Sequence, residues 1–157
     1  MTSPTTVASS RTVPAPADLV WQQVFHGQVE EIFCARYGPF PPVSGTSAGS
    51  PSWRAAGDTR TILLADGGSM LETLTEVSPP HHYRYRLEQL EGRINPYVSA
   101  VDGGWDFDPV PEGVRVTWRW TLHPRSHPLA LTMIGMMWRG YARLALEQVE
   151  RRASTPR

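Results

Sequence analysis

Thiol chemistry has almost no material here: the 157-residue chain holds one cysteine, Cys34. Neither an internal disulfide framework nor a thiolate metal cluster can form within one chain. An excess of charge is lacking too. Lys plus Arg count 15 and Asp plus Glu count 15, so no net field draws in nucleic acid or an anionic membrane, and no nucleic-acid partner is expected. No stretch approaches the ~20 apolar residues of a membrane span. Met1 to Ser10 lack the charged start and apolar run of a signal peptide, which makes the cytoplasm the expected location. No Ser-His-Asp order, Gly-rich phosphate loop or nucleotide fingerprint is present, and no cofactor is expected. The histidines do not gather: His81 and His82 face opposite ways, His123 and His127 flank Pro124, and His26 ends a helix. No metal site is expected from them. Cys34, without an identifiable base partner, reads as a small buried residue.

Proline and glycine, by contrast, are plentiful at 15 and 13, but they punctuate periodic segments and do not form low-complexity runs. The length fits one domain, 1–157, with an ordered core over about 7–152 that buries about two-thirds of its unfolded surface. Val7 to Val13 reads as a strand, closed by Pro14 and Pro16. Ala17 and Asp18 open a helix carrying Leu19, Val20, Val24 and Phe25, and a second short helical segment spans roughly 28–34. Ala35 to Ser52, rich in Pro, Gly and Ser, reads as a long loop that flaps over one mouth of the domain.

From Trp53 onward the period is two. Thr59 to Ala65 and Ser69 to Val77 flank Asp66-Gly67-Gly68, a hairpin signal. His81 to Leu90, Tyr97 to Phe107 and Val114 to Leu122 alternate as well, and none of the connections has room for a helical crossover. An antiparallel meander with one wet and one buried face follows. After Pro128 the period becomes 3.6, and Leu129 to Arg152 makes a helix of ~36 Å, long enough to lie along strands of ~33 Å. Its stripe is Leu131, Ile134, Trp138, Tyr141, Ala145 and Val149. The first half, Leu129 to Trp138, is apolar on nearly all sides and is expected to be buried between sheet and loops.

Period alone assigns an inner sheet face. On it lie Met70, Leu74, Tyr83, Tyr85, Leu87, Tyr97, Ser99 and Val101. Trp105, Phe107, Val116, Trp118 and Trp120 continue it, opposite Ile134, Trp138 and Tyr141 of the helix. Many of these must be core, but so many rings with several hydroxyls suit a site for a flat or chain-like organic molecule. Glu72 shares this face with Met70 and Leu74, which turns a carboxylate inward. Its nearest candidate partner is Arg60. A three-residue loop at Asp66-Gly67-Gly68 pairs Ala65 with Ser69 and puts Arg60, Ile62 and Leu64 inside; a two-residue loop turns them out, and the first is favoured. Glu72 then either pairs with Arg60 to fix the register, orients a ligand or moves a proton, or sits exposed at a strand edge.

The order strand, two small helices, six-strand meander and long C-terminal helix resembles the helix-grip fold of the SRPBCC superfamily (START and Bet v 1-like domains), polyketide cyclase/dehydratase-like branch. The residues that carry the resemblance are Gly57-Asp58-Thr59-Arg60, Asp66-Gly67-Gly68, Glu72 to Glu76, Pro79-Pro80 before Tyr83-Arg84-Tyr85, and Trp118. It implies an α+β fold in which a curved antiparallel sheet of about seven strands wraps the last helix. Glu72, Tyr85-Arg86-Leu87 and Tyr97-Val98-Ser99 are also similar to a plant abscisic-acid receptor pattern, which implies that Glu72, Tyr85, Leu87, Tyr97 and Ser99 point inward. Hormone binding is not carried over. The resemblance implies a hydrophobic or aromatic small-molecule partner. If the protein is a cyclase or dehydratase, Glu72 moves a proton while Tyr85, Tyr97 or Arg60 steadies an oxyanion. The alternatives are a non-catalytic carrier or sensor of a lipid or hydrophobic metabolite, and an accessory domain that docks through Ala35 to Ser52. The oligomeric state does not follow from the sequence.

Overall fold

In the computed structural model, which describes residues 3–125 and 127–154, the period-two segments pair into one curved antiparallel sheet. The elements run β1 (Thr5–Val13), α1 (Ala17–Phe25), α2 (Val29–Ile32), β2 (Val43–Ala48), β3 (Thr59–Leu64), β4 (Ser69–Ser78), β5 (His82–Glu91), β6 (Val98–Val110), β7 (Gly113–Pro124) and α3 (Pro128–Ser154). The strand order is β1-β7-β6-β5-β4-β3-β2. Strand β1 therefore pairs with the last strand, and α1 and α2 carry the chain across to the opposite edge, where β2 begins the meander. This is the expected helix-grip α+β arrangement, with α3 packed against β1, β7, α1 and α2.

Alternation turns one face of each strand into the core. Its ring cluster is dense where β6 and β7 meet α3. Trp105 and Trp118 stack at 5.3 Å between centroids, and Trp118 lies 4.7 Å from Trp138. From α1, Trp21 and Phe25 stack on each other and meet Tyr83 and Phe107 edge-on. The expected stripe of α3 is buried throughout.

Four expectations are corrected. The stretch Ala35 to Ser52 is not all loop, because Val43–Ala48 forms edge strand β2 against β3. Its small, mostly exposed residues have only one buried member, Val43, so no alternation announces it. Tyr97 and Ser99 do not face inward; both are exposed, and Val98 and Ala100 are buried in their place. The cause is a shift in the pairing with β7 between Val98 and Ala100, where one extra residue in β6 reverses the facing on its far side. Beyond it, Val101, Trp105 and Phe107 are buried as the period predicts. In the first half of α3, Leu129, Met133 and Met136 are 71%, 56% and 66% exposed. The segment before β2 reaches only the Met137 and Gly140 side of that helix, where Tyr37 and Gly38 lie. Cys34 is exposed, not buried.

Candidate functional site

The rings that fill the β6–β7 end leave space under β3, β4 and β5. A cavity there has a floor of Val43, Ile62, Leu64, Met70, Leu87 and Leu90, and a roof of Val29, Phe33 and Phe40. Trp118, Trp120 and Tyr141 close its inner end, and Glu91 to Ile94 edge its mouth. The void is about 80 Å³, and about 700 Å³ if the space open to solvent is counted. An apolar cavity of ~150 Å³ admits benzene. A ring-sized guest therefore occupies the open side as well, or displaces part of the roof. A smaller void of about 40 Å³ lies behind, between α1, α2 and the sheet, with Arg60, Tyr83 and Trp105 in its wall. Val29, Phe33, Glu72 and Tyr85 belong to both walls and so form the partition between the two spaces.

Strand pairing builds the polar part of that partition. Arg60 of β3 stands directly opposite Glu72 of β4, which stands opposite Leu87 of β5. The hairpin differs from expectation: Leu63, not Ala65, pairs with Ser69, and the loop closes through the Leu64 amide donating to the Gly68 carbonyl at 2.9 Å. The pairing is slipped by two residues, one full period of the pleat, so the facing is unchanged. Gly67 supplies the positive φ of 91° that this turn requires.

Glu72 is 5% exposed. Arg60 donates to it from Nη2 at 3.2 Å and from Nε at 3.4 Å, both longer than a tight guanidinium–carboxylate pair at about 2.7–2.9 Å. The same guanidinium lies 3.9 Å from the centre of the Trp53 ring. Burial pushes the Glu72 carboxyl above the ordinary range, and the Arg60 charge and hydrogen bonds only partly pull it back. Beside it, the Tyr85 hydroxyl accepts hydrogen bonds from the indole N–H groups of Trp118 at 2.8 Å and Trp120 at 3.0 Å. Burial first, and the Glu72 charge second, hold the Tyr85 phenol well above its usual value.

Of the expected site residues, Glu72, Arg60 and Tyr85 come together in the wall of the smaller void, and Glu72 and Tyr85 also line the larger one, which Arg60 does not reach. Ile62, Leu64, Met70, Leu87, Trp118, Trp120 and Tyr141 line the larger void, and Trp105 lines the smaller one. Leu74, Ile134 and Trp138 line neither. They are packed core, as the ring contacts of Trp138 make plain. Tyr97 and Ser99 lie outside on the exposed side of the register shift. Reading by period missed Phe33, Phe40, Leu90 and Trp53. Phe33 and Phe40 stack on Tyr141 at 5.7 and 5.2 Å, and the Tyr141 hydroxyl donates to the Pro41 carbonyl at 3.0 Å. Two phenylalanines in a Pro-rich connection were the available signal, since rings in a loop need an apolar partner. Among the described residues no group of three or more His, Cys, Asp and Glu is placed to hold a metal ion.

Residues 4–154 match the family described as "Polyketide cyclase / dehydrase and lipid transport". The chain belongs to that family. Solved structures share the fold of this chain at low identity. Major latex-like protein 151 from Panax ginseng aligns with a TM-score of 0.72 at 12% identity, over 97% of this chain and 99% of its own. Ara h 8.0201 aligns at 0.68 and 12%, over 94% and 98%. The di-domain ARO/CYC protein BexL, from the BE-7585A biosynthetic pathway, aligns at 0.70 and 17%, over 98% of this chain and 51% of BexL. No curated protein matches the chain. Among the described residues no helix is long and apolar enough to cross a membrane.

Proposed function

We propose that this protein binds a hydrophobic or aromatic small molecule in the cavity under β3, β4 and β5, and acts on it as a polyketide cyclase/dehydratase-like enzyme of secondary metabolism. The observation that carries the reading is the partition: a buried carboxylate, Glu72, and a phenol, Tyr85, line both voids beside Val29 and Phe33, with the Arg60 guanidinium bonded to the carboxylate from the smaller void. A reactive chain held folded in such a space needs little further help to close a ring, because position and excluded water supply most of the rate. Glu72, its carboxyl raised by burial, accepts a proton from carbon beside a carbonyl and returns it to a departing oxygen. Tyr85 steadies the negative charge that develops on the carbonyl oxygen, and Arg60 holds Glu72 in place from behind.

The rival reading is a non-catalytic carrier or sensor, favoured by one observation. Arg60 and Glu72 satisfy each other across β3 and β4, as a pair that only fixes register would. Native mass spectrometry of the protein purified from its own host separates the two. A single aromatic or polyoxygenated species bound at one-to-one stoichiometry is expected. A heterogeneous set of acyl lipids would establish the carrier instead.

A further inference from the structure

We infer that Tyr85 is a fixed hydrogen-bond donor aimed at the cavity, and that it selects a guest whose buried end carries a neutral acceptor oxygen, such as a ketone, over a carboxylate of the same shape. The inference rests on the reading that the cavity holds a guest.

A phenol oxygen has one hydrogen to donate and two lone pairs to accept with, whereas an indole N–H can only donate. Trp118 and Trp120 both donate to Tyr85, so its capacity to accept is filled. What remains is its own hydrogen. Among the described residues no acceptor receives it: the Glu72 oxygens are engaged by Arg60, and no hydrogen bond joins Tyr85 to Glu72. A buried phenol hydrogen with no acceptor on the protein is open to one that a guest supplies.

The hydroxyl is also held in place. With two indoles on its oxygen, it cannot turn its hydrogen toward either of them. The ring lies flat over Gly103, where a Cβ would come within 2.3 Å of ring carbons, so Tyr85 sits closer to β6 than any residue but glycine allows. Donation into the oxygen further polarises the O–H bond. Tyr85 lies in the wall shared by both voids, so a guest held there can offer the acceptor.

Charge decides against an anionic head group. Arg60 is committed to Glu72 and to the face of Trp53. Arg93, the cation that lines the larger cavity, is exposed at the mouth beside Glu91. A carboxylate at the inner end would thus be buried next to Glu72 without a free counter-charge.

Three single-ring probes of nearly equal shape test this: acetophenone, α-methylstyrene (its apolar isostere) and benzoate. Each is titrated by calorimetry at neutral pH, and the indole N–H resonances of Trp118 and Trp120 are followed by NMR. Acetophenone is expected to bind the wild type roughly fivefold to tenfold more tightly than α-methylstyrene, with benzoate weaker than acetophenone. In Tyr85→Phe the preference for acetophenone over α-methylstyrene vanishes, while α-methylstyrene keeps its affinity within about threefold. Trp120→Phe keeps the hydroxyl but frees one lone pair, so the preference shrinks; this variant decides the matter if Tyr85→Phe fails to fold. Equal binding of the ketone and its isostere, a preference undiminished in either variant, or benzoate binding best would overturn the inference and leave the cavity reading standing. Failure of all three probes to bind the wild type would overturn both.

Discussion

At the scale of the residue, Glu72 gives a direct handle on the site because its titration is written into stability. A carboxyl whose folded-state pKa is raised binds its proton more readily in the folded chain than in the unfolded one. Stability therefore falls as pH rises, starting near the ordinary value of 4.5 and ending once pH has passed the raised folded value. Below 4.5 both states are protonated and the favourable term is fully present. Replacing Glu72 with Gln removes the titration but keeps an acceptor for Arg60. The expected outcome is that the stability of wild type relative to Glu72→Gln declines over that window and is flat on either side, as read by denaturant unfolding at a series of pH values. A difference that rises with pH would mean that the Arg60 charge outweighs burial. Arg60→Met should steepen the decline, because it leaves the carboxylate buried alone, and should cost about 3–5 kcal/mol at neutral pH.

At the scale of the element, long alternating segments were legible and short or irregular ones were not. The facing of Tyr83, Tyr85 and Leu87 on β5, and of Trp118 and Trp120 on β7, follows from period alone because nothing interrupts the pleat on those segments. Tyr97 and Ser99 were misplaced by the same rule, since a single unpaired residue in β6 resets the phase and leaves no mark in composition. Strand β2 escaped notice because edge position, not alternation, defines it. One local signal was present and carries weight: Gly103-Gly104 in the middle of a strand marks a close approach of side chain to backbone. Tyr85 crosses over Gly103, and the Arg84 side chain lies over Gly104 on the other face. Gly103→Ala is therefore expected to lift the Tyr85 ring, lengthen or break its bonds to Trp118 and Trp120, and cost about 1–3 kcal/mol. Thermal unfolding and the two indole N–H shifts measure this together. An alanine variant of unchanged stability and unchanged shifts would show that Tyr85 has room to yield.

At the scale of the whole molecule, the candidate site was half legible. The polar trio could be found because inward carboxylates are rare enough to notice. Where the empty space lies could not, since it depends on which rings touch, and Trp138, Leu74 and Ile134 satisfy the same pattern as the residues that line the void. The structure divides the labour between a filled end, where β6, β7 and α3 interlock, and an open end under β3, β4 and β5. Stability and guest affinity should accordingly come apart. Leu131 and Leu87 are 0% and 2% exposed, but Leu131 is packed into the filled end whereas Leu87 borders the void. The same truncation at the two places is not equivalent. Leu131→Ala opens a hole among side chains that touch it on every side, and is expected to cost about 3–5 kcal/mol. Leu87→Ala forfeits fewer contacts, because part of its surface already faces empty space, and should cost about 2–3 kcal/mol. Acetophenone affinity is expected to change in the reverse order, altered by Leu87→Ala and left within about twofold by Leu131→Ala. Denaturant unfolding and calorimetric titration of both variants decide the point. If the two leucines cost the same and leave affinity alike, the interior is evenly packed and the division between ends does not exist.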